Sequence, residues 1–283
     1  PDAAETTPVS VVIRAGAIIT DPDAEVLTPA ERRLWLKFNE FPSGFRVRTF
    51  EDSSTFGHDA TCEEASQFNE ITDCPDSNRA FVSFDGQPDI SEPPMTMEVG
   101  NSDNGDFVLD NFTVSMWVQP TGTQNSNQHL FSKRSDLVLG INPSSMQPFV
   151  RMYNTDCIQL VPPTAVVNGS TDFAQNRWNH LAATYNGTSL VLYVNGLNAG
   201  SILSGTNCMG HAFDDYPIFI GGHFGDLLEE LQAIGKEDYV FEGNIDNVSV
   251  FAGSLTSQEV FEIFDSGLRV LELKFDDAPG AET

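Results

Sequence analysis

The sequence predicts an all-β fold, a two-sheet antiparallel β-sandwich with one short helix near its C-terminal end. Three features carry this prediction: a β-hairpin pattern in the middle of the chain, short apolar runs at regular intervals, and Gly, Asn and Pro between those runs. Hydrophobic residues make up 40% of the 283 residues, which is enough for one large core.

The hairpin pattern lies at residues 177–196. Two runs rich in Leu, Val, Thr and Tyr, at residues 181–185 and 190–194, flank the pair Asn186 and Gly187, and a second Asn-Gly pair ends the second run. Asn-Gly is a preferred pair in tight hairpin turns. Apolar residues alternate along the second run, so one face of that strand can be buried.

The other elements follow along the chain. Residues 1–33 are predicted as an N-terminal linker with a strand at 11–20 that is available for donation to a neighbour. Strands are predicted at 34–38, 80–84, 107–118, 137–141, 149–153, 181–185, 190–194, 217–220 and 245–251. One helix is predicted at 255–264, because its apolar residues share a face and Gly267 can end it.

A short internal repeat bears on domain organisation. Leu-x-Leu-Lys-Phe occurs at residues 34–38 and again at residues 271–275. We interpret the sandwich as residues 34–267, and residues 268–283 as the start of a following repeat or a terminal strand. The alternative is coincidence between two amphipathic strands.

Charge excludes some partners. The chain has 14 basic and 41 acidic residues, a net charge of −27, which disfavours nucleic acid and anionic lipid as partners. No apolar run is long enough for insertion into a membrane. With neither an initiator Met nor a signal-peptide pattern, we expect a processed product or an interior piece of a longer chain.

Cysteines and glycosylation tripeptides indicate the compartment. Four cysteines allow three disulfide pairings, and Cys62–Cys74 with Cys157–Cys208 is the most economical. No Cys-x-x-Cys spacing supports a metal site instead. Acceptor tripeptides for N-glycosylation begin at Asn111, Asn168, Asn186 and Asn247. Together with the acidity, these features predict a secreted, extracellular protein, most consistent with a eukaryotic source.

Several segments in order resemble one known family. Residues 112–118 (Phe-Thr-Val-Ser-Met-Trp-Val), the hairpin at 177–196 and residues 241–251 (Phe-Glu-Gly-Asn-Ile-Asp-Asn-Val-Ser-Val-Phe) are similar to strands of laminin-G-like, concanavalin A-type jelly rolls. The resemblance covers roughly residues 34–267. It implies a jelly-roll fold, and most members of the group bind or build rather than catalyse.

The resemblance also implies a metal site. Members often hold a structural calcium ion near an opening turn, which here suggests Asp52, Asp59 and Asp246 as ligands, with backbone carbonyls near Ser54 or Gly57. The alternative is that Asp52 and Asp59 only cap turns by accepting hydrogen bonds from their own backbone.

Catalytic residues are not recognisable. Glucanases of the same broad fold use a Glu-x-Asp-x-x-Glu strand, and the matching residues 244–249 contain neither glutamate. Histidine and serine spacings fit no metalloprotease or triad motif. Trp35, Trp117 and Trp178 lie in strand motifs, where we expect burial. We therefore predict that the protein is not an enzyme.

Two functions of different classes remain. The first is a structural repeat unit of an extracellular filament, surface appendage or matrix protein, whose partners are neighbouring copies or tandem repeats joined by sandwich contacts and strand addition. The second is a calcium-dependent adhesion module that binds a carbohydrate or a receptor. A degenerate hydrolase is the least favoured reading.

Overall fold

The computed structural model describes residues 30–38, 45–46, 49–62, 75–77, 81–86, 95–100, 106–107, 109–122, 128–133, 137–142, 145–153, 164–169, 173–203, 217–222 and 240–276. The strand predicted at 11–20 lies outside these residues. The strands are β1 Glu31–Leu36, β2 Phe45–Arg46, β3 Thr49–Phe50, β4 Ala60–Thr61, β5 Asp76–Ser77, β6 Val82–Asp85, β7 Met97–Val99, β8 Phe112–Pro120, β9 Gln128–Lys133, β10 Leu137–Asn142, β11 Gln147–Tyr153, β12 Thr164–Asn168, β13 Asn179–Tyr185, β14 Ser189–Val194, β15 Leu197–Leu203, β16 Ile218–Ile220 and β17 Glu242–Ala252. Helix α1 is Ser257–Asp276.

The strands form two antiparallel sheets, which confirms the predicted sandwich. Sheet A has the order β15-β14-β13-β8-β17-β6-β5-β2, and β1 pairs with the second half of β17. Sheet B has the order β12-β11-β10-β9-β16-β7-β4-β3. The core lies between the sheets, with Val114 and Met116 contributed by sheet A and Phe131 and Leu139 by sheet B. Burial of these apolar side chains is the main stabilising contribution.

Each of the nine predicted strands is present, with shifted ends. The largest shift is at β8, which begins at Phe112 rather than at residue 107. Strand β15 was not predicted, because its sequence Leu-Asn-Ala-Gly-Ser-Ile-Leu is weakly apolar. Its position follows from the turn before it: Asn195 and Gly196 have φ values of 50° and 76°, the left-handed pair that a two-residue hairpin turn requires.

Helix α1 is longer than predicted. Its start is fixed by a capping box, in which Glu259 Oε2 accepts a 2.7 Å hydrogen bond from Thr256 N and Thr256 Oγ1 accepts one of 3.3 Å from Glu259 N. The helix continues through Gly267, so the prediction that this residue ends it was wrong. Residues 271–276 are therefore helical rather than a strand. The boundaries of the domain at 34–267 and of a following repeat at 268–283 stay a prediction.

Gly267 has a different role. A Cβ at this position would lie 2.4 Å from Trp117 Nε1, so only glycine allows the helix to approach the indole this closely. The helix packs on the outer face of sheet A, over a small apolar cluster of Ala182, Tyr193, Phe251, Leu255 and Val260. No helix in the described part of the chain is long and apolar enough to cross a membrane.

Candidate functional site

A pocket of about 200 Å³ lies between the outer face of sheet A and helix α1, and it is termed the outer pocket. Strands β1, β8 and β17 form its floor, and α1 forms one wall. Its lining residues are Arg32, Trp35, Ser115, Trp117, Asp246, Asn247, Ser249, Ile263, Ser266 and Gly267. Most are polar or aromatic, in contrast to the aliphatic core on the other face of the same strands.

Strand alternation and one β-bulge place these side chains. Ser115 and Trp117 alternate along β8 with core residues, so they lie on the outer face. In β17, Asp246 pairs with Trp117 and Ser249 pairs with Ser115, so two residues of β17 oppose one of β8 between those pairs. Asn247 has a φ of 51° at this bulge. Such left-handed residues in a bulge re-aim the side chain, here into the pocket.

Hydrogen bonds connect three lining residues in series. Trp35 Nε1 donates to Asn247 Oδ1 at 3.3 Å, and Asn247 Nδ2 donates to Asp246 Oδ2 at 3.1 Å. Asn247 N also donates to Asp246 Oδ1 at 2.8 Å. Asp246 is only 5% exposed. The indole, amide and carboxylate are therefore held in one arrangement before any ligand arrives.

Two cations lie against Trp35. The Arg32 guanidinium carbon is 4.2 Å from the centre of its ring, and Lys37 Nζ is 3.8 Å from it. Arg32 also lies 4.8 Å from the centre of the Phe251 ring. Cation–π contacts of this kind favour the charged form, but burial lowers the pKa of Arg32. The guanidinium is thus partly desolvated at the pocket wall.

A buried histidine supports the floor of the pocket. His180 Nε2 lies 2.9 Å from Ser115 Oγ, and among the described residues His180 Nδ1 has no hydrogen-bond partner. Burial lowers the pKa of His180 to about 3, so the ring is neutral at physiological pH. A serine and a histidine at this distance resemble a nucleophile and its base. However, no carboxylate among the described residues orients this ring, and its basicity is low, whereas a triad uses an oriented and more basic histidine.

The predicted calcium ligands are differently engaged. Asp52 Oδ1 accepts hydrogen bonds from Trp35 N and Ser54 N, and Asp52 Oδ2 accepts from Ser54 Oγ and His58 N, at 2.6–2.9 Å. Asp59 Oδ1 accepts from Asp52 N at 2.9 Å. These bonds cap the turn at residues 52–59, which was the alternative reading. The turn with Asp52 and Asp59 is termed the rim turn.

This donor set does not fit a calcium ion. Calcium requires several oxygens at once, and both oxygens of Asp52 already accept two hydrogen bonds each. Asp246 is hydrogen-bonded to Asn247 in the outer pocket instead. In the described ranges, no three His, Cys, Asp or Glu side chains are grouped as a metal ion would require. Calcium binding stays a prediction from the resemblance, and these hydrogen bonds do not support it.

The modification sites are only partly described. Cys62 is buried and is not a free thiol, while Cys74, Cys157 and Cys208 lie outside the described residues, so the pairing stays a prediction. Asn111, Asn168 and Asn186 are exposed. Asn247 is half-buried, and its Nδ2, the atom that would carry a glycan, already donates to Asp246. It is the least suited of the four acceptors.

The prediction that all three tryptophans are buried is only partly confirmed. Trp117 is 4% exposed, as expected, but Trp35 and Trp178 are half-buried. In β1, Trp35 lies between the fully buried Leu34 and Leu36, so alternation puts it on the opposite face. That signal was readable from the sequence. The sequence did not indicate that α1 covers part of this face.

Residues 98–261 match the sequence profile of a known family, the laminin-G type of the concanavalin A-like lectin/glucanases superfamily. The match covers more than half of the chain, and the chain belongs to this family. No curated protein sequence matches it.

Solved structures with the same fold include two binding domains of toxins and one domain of an enzyme. The binding domain of Paraclostridial Mosquitocidal Protein 1 has a TM-score of 0.56 at 14% identity, over 83% of this chain and 52% of that one. The botulinum neurotoxin DC binding domain in complex with SialylT has a TM-score of 0.55 at 16% identity, over 83% and 51%. The chain thus spans about half the length of these toxin domains.

The third structure is domain 4 of AbnA, an extracellular arabinanase of Geobacillus stearothermophilus, in complex with arabinotriose. Its TM-score is 0.53 at 14% identity, over 82% of this chain and 98% of that domain. At such low identity these likenesses show the fold alone.

Proposed function

We propose that this member of the concanavalin A-like superfamily is a non-catalytic extracellular module that binds carbohydrate, and that the outer pocket holds one sugar ring. One observation carries the proposal: the pocket combines indole, carboxylate, amide, guanidinium and hydroxyl groups on rigid strands. Support also comes from two solved domains of the same fold, one in complex with arabinotriose and the other in complex with SialylT.

The chemistry of the pocket suits a sugar. A sugar ring presents hydroxyl groups, which both donate and accept hydrogen bonds. Asp246 accepts, Arg32 donates, and Asn247 and the serine hydroxyls do both. The pocket is smaller than the roughly 300–1,000 Å³ typical of pockets for drug-sized ligands, so it accommodates a single ring.

Overall charge narrows the class of glycan. A net charge of −27 repels strongly anionic polysaccharides at long range. Neutral glycans are therefore the ligands we propose. An extracellular location is part of the proposal, supported by the exposed Asn111, Asn168 and Asn186 acceptors and by the absence of a free thiol at Cys62.

The test is calorimetric titration of the full chain with neutral oligosaccharides, arabinotriose among them, followed by a glycan array. Arg32→Ala is expected to weaken binding at least about 10-fold, because a charge-assisted hydrogen bond contributes about 1.5–3 kcal/mol. Arg33→Ala is the matched control. It removes the same charge from the same strand, but Arg33 pairs with Glu31 and Asp106 outside the pocket. Equal losses in both variants, or no binding of any neutral glycan, would contradict the proposal.

Assembly is a second proposed function, and one observation favours it. Among the described strands, β15 is the outermost of sheet A, and its Leu197 and Ile202 are 61% and 37% exposed. An edge strand of this kind can accept another strand. The proposed occupant is the strand predicted at residues 11–20 of a neighbouring copy. Sedimentation of the wild type should show oligomers. Leu197→Lys and deletion of residues 1–29 should each dissociate these oligomers. A wild type that stays monomeric at high concentration would rule out assembly by strand addition.

A further inference from the structure

We infer that a second sugar subsite lies on the outer face of sheet A, beside the outer pocket, and that the ligand is therefore an oligosaccharide rather than a single sugar. This inference rests on the proposed function. The subsite consists of three polar side chains, Ser83, Asn244 and Gln119, which are termed the amide row, together with the aromatic pair Trp178 and Phe81.

Hydrogen bonds fix the amide row across three strands. Ser83 Oγ donates to Asn244 Oδ1 at 2.7 Å, and Asn244 Nδ2 donates to Gln119 Oε1 at 2.7 Å. Gln119 Nε2 then donates to the carbonyl oxygen of Asn176 at 3.3 Å. Each side chain of the row is half-buried, so it keeps contact with solvent. Each amide nitrogen carries a second hydrogen, and each oxygen a second lone pair, for a ligand.

Strand register places the row on the outer face. Asn244 pairs with Ser83 of β6 on one side and with Gln119 of β8 on the other. Their chain neighbours Val82 and Val118 are fully buried in the core. Because successive side chains of a strand point to opposite faces, the row points away from the core, on the face that holds the outer pocket.

The aromatic pair lies beside the row. Trp178 directly precedes β13 and Phe81 directly precedes β6, and strands β8 and β17 separate those two strands in the sheet. Their ring centres are nevertheless 5.5 Å apart in an edge-to-face arrangement. The two rings therefore meet over the outer face. Both are half-buried, so each offers apolar surface on which a sugar ring can pack while its hydroxyls reach the amides.

The spacing connects the row with the outer pocket. Asn244 of the row and Asp246 of the pocket are two residues apart in β17, which corresponds to about 6.6 Å along the strand. Adjacent rings of one oligosaccharide can span that step. Helix α1 forms one wall of the pocket, and the inference places the last ring of a bound chain in the pocket and the next ring over the row.

The experiment measures the affinity of the full chain for neutral sugars of one to four rings, in arabinose, xylose and glucose series, by calorimetry. We expect affinity to rise about 10-fold from one ring to two and then to level off. Asn244→Ala and Trp178→Ala should remove that increase and leave the affinity for a single ring unchanged. Arg32→Ala should weaken binding of every length by the same factor.

Controls separate binding from folding. Asn168→Ala removes an exposed asparagine from β12 of the other sheet and should change nothing. Trp178→Phe keeps an aromatic contact with Phe81, so it tests the subsite if Trp178→Ala unfolds. Equal affinity for all lengths, or loss of single-ring binding in Asn244→Ala, would overturn the second subsite and leave the proposed function standing. No binding of any sugar by the wild type would overturn both.

Discussion

The outer pocket and the rim turn each contain a buried aspartate, and the two aspartates are used differently. Asp52, in the rim turn, is 6% exposed, and four hydrogen bonds from its own chain occupy its oxygens. Asp246, in the outer pocket, is 5% exposed and is hydrogen-bonded to Asn247, whose amide also accepts from Trp35. Burial alone therefore does not identify a functional carboxylate. What distinguishes Asp246 is its place in the outer pocket, which makes it the carboxylate that we propose for sugar binding.

The largest expected effect separates these two carboxylates. Asp52→Ala leaves several backbone donors of the rim turn without a partner, so we expect a loss of about 3–5 kcal/mol in the free energy of unfolding. Asp246→Ala should cost less stability, about 1–2 kcal/mol, and should abolish most sugar binding. Urea unfolding and calorimetry measure the two quantities. The comparison fails if Asp52→Ala is as stable as the wild type, or if Asp246→Ala binds sugar normally.

The second effect concerns the floor of the pocket and depends on pH. Burial lowers the pKa of His180 to about 3, below its value of about 6.5 in the unfolded chain. The unfolded state therefore binds the proton more tightly. The free energy of unfolding is therefore highest above pH 6.5, where the ring is neutral in both states. It decreases as the pH falls from 6.5 toward 3, and at pH 5 the decrease is about 2 kcal/mol.

The measurement is the free energy of unfolding at pH 7 and pH 5 in wild type and His180→Gln. We expect the pH dependence of the wild type to exceed that of His180→Gln by this amount. His58→Gln is the control, because it removes a histidine of the rim turn instead of one beneath the pocket. His58 Nε2 lies 3.1 Å from Asp106 Oδ2. If His180→Gln retains the full pH dependence, another group is responsible.

The third effect concerns the wall of the pocket. Gly267→Ala places a methyl group against the Trp117 indole, which stacks on Phe264 at 5.7 Å. Helix α1 must move away, at a cost of about 1–3 kcal/mol, and the pocket loses its shape. Gln258→Ala, on the same helix but exposed and outside the pocket lining, should be nearly neutral. Thermal unfolding and sugar titration of both variants check this; equal behaviour would show that the close contact is unimportant.

The smallest effect concerns calcium. Because the oxygens of Asp52 are already occupied, we expect calcium or a chelator to leave the melting temperature unchanged. A rise in melting temperature with calcium that disappears in Asp59→Asn would instead establish the site that the family resemblance predicts.

The fold was predictable because its determinants are local. Alternation of apolar residues and the Asn-Gly pairs identify β13 and β14 within about 20 residues of chain, as hairpin principles require. Gly267 was predicted to end helix α1, but the helix continues through it, and the glycine instead allows a close approach to Trp117, which is distant in the sequence. No local pattern distinguishes a glycine that ends a helix from one that admits a neighbouring indole.

The outer pocket was not predictable, because its residues come together only in the folded sheet. Trp35 and Asn247 are 212 residues apart, and pairing of β1 with β17 brings them into hydrogen-bond contact. Asn247 also depends on a bulge that the sequence does not signal. Asp246 was selected as a calcium ligand, which stays a prediction, and its position in the pocket is the basis of the sugar-binding role that we propose.

The most direct test uses tryptophan fluorescence. The chain has three tryptophans, and Trp178→Phe leaves only Trp35 and Trp117, both in the outer pocket. Neutral oligosaccharides should then change the tryptophan emission until the site is saturated. The affinity obtained from this titration should fall about 10-fold with Arg32→Ala and stay the same with Arg33→Ala. An emission that does not respond to any neutral sugar, or that responds equally in both arginine variants, would contradict a sugar site in the outer pocket.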